Sequence, residues 1–125
     1  MNPVIIDSSI WIEFFNKDTE ISRKAARFVE EGRAAIAGPI LYEVLQGTRS
    51  KDEQEVVLSA LLGVTMVEIN TQLWIKAAEI SSGLRKRGIT IPMSDIVIAA
   101  AAVEHGYSVF TSDAHFKKVP GVKLI

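Results

Sequence analysis

Three aspartates stand near the points where short apolar segments of the sequence begin or end, and one glutamate lies within such a segment. Asp7 closes the segment PVIID, Asp113 follows YSVFT by two residues, and Asp95 directly precedes the longest apolar run of the chain. Glu43 lies within PILYEVLQG, on the flank of its apolar side. Carboxylates are costly to bury, and several brought together repel one another. A divalent cation such as Mg2+ or Mn2+, which prefers oxygen ligands, would relieve that repulsion.

Such a cluster would carry out one kind of chemistry. A divalent ion held by carboxylates orients a water molecule, lowers its pKa and stabilises the charge that develops on a phosphate. The acids therefore predict metal-dependent hydrolysis of a phosphodiester, provided that the fold brings them together. Taken singly, the aspartates could be helix caps or turn residues, and Glu43 could be a solvated residue of a helix.

The segments between these acids alternate between strand and helix patterns. Short apolar runs rich in β-branched residues predict strands at 3–7, 33–38, 64–69, 107–111 and 122–125. Apolar residues at helical spacing, with glycine or proline near the ends, predict helices over 8–17, 20–32, 39–47, 51–61, 71–88 and 94–105. This alternation predicts one α/β domain over residues 1–125, with a mostly parallel central sheet and helices on both faces.

The predicted sheet would gather the acids at one edge. Ligands of parallel sheets bind beyond the carboxyl ends of the strands, where both Asp7 and Asp113 fall. The helix 94–105 is apolar all round and should be buried, so its N-terminus would carry Asp95 to the same edge. Glu43 would point into the cleft from the side of its helix. A shared edge favours a single site over four unrelated caps and turns.

Composition narrows the classes of protein. The length of 125 residues suits one domain with its own core, and the absence of cysteine excludes disulfides and thiolate–zinc sites. A net charge of -1 argues against a strongly basic nucleic-acid binder, although a local basic patch stays open. The N-terminus lacks a signal-peptide pattern, and the apolar run 96–103 is too short to span a bilayer. We therefore expect a cytoplasmic protein.

Four segments together resemble the PIN-domain ribonucleases, and in particular the VapC-type toxins of prokaryotic toxin–antitoxin pairs. They are VIIDSSIWIEFF, ILYEVLQG, MSDIVIAAAAVEHG and VFTSDAHF, which follow the order and spacing of the family over nearly the whole chain. The resemblance implies a three-layer α/β/α fold and an endoribonuclease that depends on Mg2+ or Mn2+. It also implies that the chain is the toxin of a type II system, with RNA as substrate and a cognate VapB-type antitoxin as partner.

The resemblance also implies roles for single residues. The catalytic and metal-binding positions of the family match Asp7, Glu43, Asp95 and Asp113. Ser8 and Thr111 match hydroxyl residues that support the acids, and Ser9 is a further helper. His115 departs from the family pattern, since many members carry another acid there, and we interpret it as a surface or phosphate-facing residue rather than a ligand.

Basic and apolar residues suggest contacts with partners. Lys117 and Lys118 follow the Asp113 loop closely and are candidates to contact an RNA phosphate. The helices 8–15 and 39–47 carry more apolar residues than one core face needs, which together with the resemblance predicts a homodimer. The residues concerned are Trp11, Phe14, Phe15, Leu41 and Tyr42. The antitoxin is expected to place an Arg or Lys in the acidic cleft, where the metal would otherwise bind.

Other classes fit the sequence less well. A phospho-accepting receiver domain needs paired acids after its first strand, but Asp7 is followed by Ser8 and Ser9. A haloacid-type phosphatase needs a second Asp where Ser9 stands. The alternative that stays open is a catalytically inactive PIN-like module that binds only RNA or protein.

Overall fold

A parallel sheet of five short strands forms the centre of the protein in the computed structural model, which describes residues 2–125. The strands are β1 Val4–Ile6, β2 Ala34–Ala37, β3 Thr65–Val67, β4 Ser108–Phe110 and β5 Lys123–Leu124. The helices are α1 Ser8–Asn16, α2 Glu20–Glu30, α3 Gly38–Gln46, α4 Lys51–Leu62, α5 Thr71–Lys86 and α6 Met93–His105. A short 3-10 helix, Ala114–Lys118, connects β4 to β5.

The order of the strands places β1 at the centre of the sheet. The order is β3-β2-β1-β4-β5, and each neighbouring pair is parallel. The register pairs Ile6 at the end of β1 with Phe110 at the end of β4. The backbone N–H of Asp7 then donates to the carbonyl oxygen of Phe110 at 2.9 Å. The residues that follow β1 and β4 therefore leave the sheet side by side.

Helices cover both faces of the sheet. Successive residues of a strand point to opposite faces, yet Val4, Ile5 and Ile6 all have no exposed surface. Strand β2 reads Ala-Ala-Ile-Ala and is also buried throughout. This continuous burial is typical of parallel strands between two helical layers. The predicted α/β/α fold is thus confirmed, and the predicted elements differ from the observed ones by a few residues at their ends.

The apolar residues of α1 belong largely to the core. Trp11 is only 1% exposed, and its ring contacts Phe14 edge-on at a centroid distance of 5.4 Å. Phe14 contacts Phe15 in the same way at 5.1 Å. The aromatic residues of α1 therefore form a cluster within the protein. The prediction that Trp11 belongs to a dimer surface is wrong, because its side chain is buried. Tyr42 on α3, in contrast, is 67% exposed.

Helix α6 is the most deeply buried helix of the protein. Each of its residues from Asp95 to Ala102 is buried, because alanine side chains let the neighbouring elements approach closely. The helix ends at Gly106, which adopts a left-handed conformation (φ 71°) as its C-cap. Burial on all sides fixes the position of α6, and with it the position of Asp95 in its first turn. Within residues 2–125, no helix is long and apolar enough to cross a membrane.

Tight packing around α6 can be tested by enlarging one of its alanines. Ala101 has no exposed surface, so Ala101→Leu should lower the free energy of unfolding by about 1–3 kcal/mol through overpacking. The same substitution at the exposed Ala60 of α4 is the matched control and should change it by less than about 0.5 kcal/mol. Urea unfolding measures both. Equal effects at the two positions would contradict tight packing of α6.

Candidate active site

Asp7 begins the site at the carboxyl end of β1. Its side chain is buried, with 3% of the residue exposed. The hydroxyl groups of Thr111 and Ser9 both donate to Asp7 Oδ2, at 2.8 Å and 3.3 Å. The Thr111 oxygen in turn accepts a hydrogen bond from the backbone N–H of Asp113 at 2.9 Å. The Thr111 hydroxyl therefore links the loop after β4 to the first acid.

Asp95, Asp113 and His115 form a compact cluster beside Asp7. The Nδ1 atom of His115 lies 3.0 Å from Asp95 Oδ2 and 3.1 Å from Asp113 Oδ1. The backbone N–H of His115 also donates to Asp113 Oδ1, at 2.9 Å. One possible ligand atom from each of the three side chains lies within 4.8 Å of the other two. Residues from α6 and from the 3-10 helix thus meet at one point.

Asp95 is not the N-cap of α6. The N-cap is Pro92, and no side chain caps this end of the helix. Asp95 lies one position after Ser94 in the first turn and points to His115 rather than to the free backbone N–H groups. The simpler explanation by capping is therefore wrong for Asp95. It does hold for Asp113, whose side chain caps the 3-10 helix while it also joins the cluster.

Glu43 approaches the cluster from α3. Its Oε1 atom accepts a hydrogen bond from the Ser8 hydroxyl at 3.4 Å, and the residue is half-buried. Burial raises the pKa of Glu43, and the charges of Asp7 and Asp113 raise it further. The charges of these aspartates therefore act on the Glu43 carboxylate. The sequence predicted this proximity from the position of Glu43 beside the apolar face of its helix.

Burial and mutual repulsion perturb the aspartates. Burial raises the pKa of Asp7, and the Asp113 charge adds to this against the hydrogen bonds from Thr111 and Ser9. Burial, together with the charge of Asp113, raises the pKa of Asp95 to about 6. Burial acts in the same direction on Asp113, but hydrogen bonds from the His115 backbone and from Asp95 outweigh it and lower the pKa of Asp113. The cluster thus favours holding one proton between Asp95 and Asp113.

This set of side chains fits a divalent cation. Converging carboxylates that raise one another's pKa values are stabilised when a positive ion lies among them, and their oxygens are the ligands that hard cations prefer. The fold and the site together define a class of protein. It is an α/β domain with an acidic site, suited to a metal ion, at the carboxyl edge of a parallel sheet. Buried acids with perturbed pKa values are also typical of functional sites.

Comparison with known proteins identifies the family within this class. The model of the PIN domain matches residues 4–122, and the chain belongs to the PIN domain family. Ribonuclease VapC11 of Mycobacterium tuberculosis is 28% identical over 118 residues, which cover 90% of this chain and 88% of that protein. Ribonuclease VapC1 of Methanocaldococcus jannaschii is 29% identical over 125 residues, which cover 97% of this chain and 85% of that protein.

Solved structures share the fold over nearly the whole chain. The DNA-bound VapBC structure from Salmonella typhimurium aligns with a TM-score of 0.83 at 22% identity, covering 100% of this chain and 98% of that one. The structure of VapC20 from Mycobacterium tuberculosis, described as a sarcin–ricin loop cleaving toxin, aligns with a TM-score of 0.72 at 15% identity. That alignment covers 96% of this chain and 97% of the other. At these identities the likeness concerns the fold.

The structure brings together most of the residues predicted for the site. The residues that gather at this edge are Asp7, Ser8, Ser9, Glu43, Asp95, Thr111 and Asp113. Lys117 and Lys118 lie exposed at the end of the 3-10 helix, near the cluster in sequence but outside the contacts that form it. Their role, like the catalytic roles of the acids, stays a prediction.

His115 lies partly exposed at the surface and also contacts the acids. Its side chain is 41% exposed, as expected for a surface residue, and its Nδ1 atom faces both carboxylates. The interpretation that His115 is not a metal ligand stays a prediction. The tight 3-10 turn that Asp113 caps folds the imidazole back onto the acids. The sequence signal for this contact was the position of His115, because many members of the family that the chain resembles carry an acid there.

Repulsion within the cluster predicts that the stability of the folded protein rises as the pH falls below 7. The folded-state pKa of Asp95, about 6, lies above its ordinary value of 3.8, so the folded protein takes up this proton before the unfolded chain does. The stability of the wild type in EDTA should therefore rise as the pH falls from about 7 to 5. Asp95→Asn should be more stable than the wild type at pH 7 by about 1–3 kcal/mol, and its stability should depend less on pH.

Thermal unfolding in EDTA at several pH values measures this. The exposed carboxylate of Asp18, which pairs with Arg23 on the surface, supplies the control Asp18→Asn. That variant should follow the wild type in its pH dependence. An Asp95→Asn protein that melts below the wild type at pH 7, with an unchanged slope, would contradict the predicted repulsion.

Proposed function

We propose that this protein is a metal-dependent endoribonuclease and the toxin of a type II toxin–antitoxin system. The observation that carries the proposal is the convergence of Asp7, Asp95 and Asp113 at the carboxyl edge of the sheet, with burial and mutual repulsion raising the pKa values of Asp7 and Asp95. Relatives that match most of the chain are named ribonucleases, which supports RNA as the substrate.

The ion would be held by the aspartates, with Mg2+ and Mn2+ as the expected metals. When bound, it would activate a water molecule and offset the negative charge of the phosphate. Thr111 and Ser9 engage one oxygen of Asp7 and so fix the orientation of its carboxylate. Glu43, whose pKa is raised, is suited to accept or release a proton at its carboxylate during hydrolysis.

Binding of the RNA would use the surface next to this cluster. Lys117 and Lys118 are exposed directly after the loop that carries Asp113 and His115, and their charges would attract the phosphates of the substrate. Because the expected substrate is RNA, we propose that the protein acts in the cytoplasm. The alternative of an inactive module is less consistent with a site in which the buried acids are kept despite their repulsion.

The proposed partner is a VapB-type antitoxin. Solved structures with this fold include VapBC complexes, one of them from Salmonella typhimurium, which supports this partner class. Because the acids repel one another without a cation, an Arg or Lys of the antitoxin would relieve that repulsion as a metal does. Occupation of the same place would also inhibit the proposed nuclease.

We also propose that the protein forms a homodimer through an apolar groove beside the site. The groove has a volume of about 660 Å3 and is lined in part by Tyr42, Met66, Trp74 and Met93. Tyr42, Trp74 and Met93 are 67%, 44% and 71% exposed. Large exposed apolar side chains grouped in this way are typical of protein interfaces. This surface replaces the one expected from α1, whose aromatic residues pack largely within the protein.

The nuclease proposal predicts that cleavage requires both the metal and Asp7. The antitoxin-free protein should cut RNA with Mg2+ or Mn2+, and excess EDTA should abolish cleavage. Asp7→Asn should stay folded and lose activity by about a hundredfold or more, since a charge that stabilises the transition state is removed. The exposed control Asp18→Asn should keep its activity. Cleavage in EDTA would refute the mechanism, and RNA binding without cleavage in either metal would favour the inactive module.

The dimer proposal predicts that a polar substitution in the groove separates the dimer into single chains. Light scattering at micromolar concentration should give the mass of two chains for the wild type and of one chain for Trp74→Ser. Val56 on α4 is also exposed, at 68%, but does not line the groove, so Val56→Ser should remain dimeric. A monomeric wild type would refute the dimer, and a dimeric Trp74→Ser would place the interface elsewhere.

A further inference from the structure

A lysine of α2 is held beside the acidic edge of the sheet. The Nζ atom of Lys24 lies 5.5 Å from the centroid of the Phe110 ring, close enough for a cation–π interaction. Phe110 is the last residue of β4, and its carbonyl oxygen accepts the backbone N–H of Asp7. The next residue, Thr111, donates to the Asp7 carboxylate. The ammonium group of Lys24 therefore lies next to the strand end from which the site is built.

The Phe110 ring that carries this lysine is itself fixed. Phe28, one turn after Lys24 on α2, packs edge-on against Phe110 at a centroid distance of 5.9 Å, and both rings are buried. Lys24 is half-buried, as expected when an apolar stem covers a ring and the charged end reaches solvent. A cation held in this way loses less conformational entropy on binding an anion than a free surface lysine does.

The charge of Lys24 has no partner within residues 2–125. Its neighbour Arg23 pairs with Asp18, whereas the Lys24 ammonium forms no ion pair. The main influences on the pKa values of Asp7 and Asp95 are burial, hydrogen bonds and the other acids, and none of them is a lysine or an arginine. Lys24 therefore stands beside the acids without neutralising them, and its charge is free for a ligand.

An RNA substrate would supply the matching anion. A strand that is cut at the acids carries a negative charge at each phosphate on either side of the cleaved bond. The acids repel these neighbouring phosphates unless a cation lies close to them. Lys24 offers such a cation from α2, whereas Lys117 and Lys118 belong to the 3-10 helix after β4. Positive charge from two separate elements would fix the course of the strand better than charge from one.

We propose that Lys24 binds a backbone phosphate of the RNA next to the one that is cleaved, and so positions the strand across the acidic site. This inference rests on the proposed function, because it assigns a further contact to the same substrate. Lys24 touches no reacting atom, so it is a positioning residue. If Lys24 served only to pack on Phe110, its charge would have no effect that depends on a particular phosphate.

Three variants separate the charge of Lys24 from its packing. Lys24→Met removes the charge and keeps an unbranched apolar side chain over the Phe110 ring, and Lys24→Arg keeps the charge. Arg27 lies one turn further along α2, is exposed and forms no ion pair within residues 2–125, so Arg27→Met is the matched control for net charge. Each variant is combined with Asp7→Asn, so that bound RNA is not cut.

The measurement is the fluorescence anisotropy of a short labelled single-stranded RNA, titrated in Mg2+ at several KCl concentrations. Lys24→Met should weaken binding about fivefold at 0.1 M salt and reduce the slope of log K against log salt by about 0.7, the value for one phosphate contact on a single strand. Lys24→Arg and Arg27→Met should bind as tightly as the protein with Asp7→Asn alone.

Single phosphates replaced by uncharged methylphosphonates then locate the contact. One such replacement should weaken binding to the protein with Asp7→Asn alone and cause no further loss in the Lys24→Met protein. In the cleaving protein, with Asp7 intact, Lys24→Met should raise KM and leave kcat unchanged, because the contact is equally strong before and during the reaction.

The results separate this inference from the nuclease proposal. An unchanged affinity and salt dependence in Lys24→Met would overturn the role of Lys24, and so would a loss that is the same for every methylphosphonate position. Absence of RNA binding by the protein with Asp7→Asn alone would overturn it as well. Metal-dependent cleavage that Lys24→Met leaves unaffected would remove only this lysine. A phosphate-specific loss in a protein that cuts no RNA would remove the nuclease and keep the binding surface.

Discussion

Repulsion among carboxylates held at one edge of a buried sheet is the constraint on which this structure depends. Asp7 and Asp95 are both buried, and the Asp113 charge raises the pKa of each. Without a counter-charge the site opposes folding, so the rest of the protein must hold it in place. The central strand β1 and helix α6 do so, because the apolar residues of β1 and those of α6 from Ile96 to Ala102 have almost no contact with water. A site that costs stability and persists is typical of function.

Small hydroxyl side chains make this arrangement possible. Thr111 donates to Asp7 and accepts from the backbone of Asp113, and Ser8 donates to Glu43. Each of these bonds satisfies an oxygen that burial would otherwise leave without a partner. They also orient the carboxylates without adding a positive charge that would compete with a metal. The hydroxyl residues after β1 and β4 therefore belong to the site together with the acids, because they orient the carboxylates.

His115 adds a nitrogen atom to a cluster that otherwise consists of carboxylates. In the structure its ring nitrogen contacts Asp95 and Asp113 together, so the two carboxylates share a polar partner that is not a carboxylate. The contact with Asp95 Oδ2 is at hydrogen-bond distance, 3.0 Å, and gives this buried oxygen a polar partner.

Much of this protein could be predicted from the sequence, because the informative signals are local. Alternating apolar strands and helices define the α/β class, and an all-apolar α6 must be buried wherever it packs. The rule that parallel strands end at a common edge was enough to place Asp7 and Asp113 together, and the buried helix brought Asp95 to them. Tertiary structure decided the features that depend on directions in space. A 3-10 turn aimed the His115 ring at the acids, and the packing of α1 placed Trp11 in the core, because side-chain direction and contacts between distant elements are set only when the whole chain has folded.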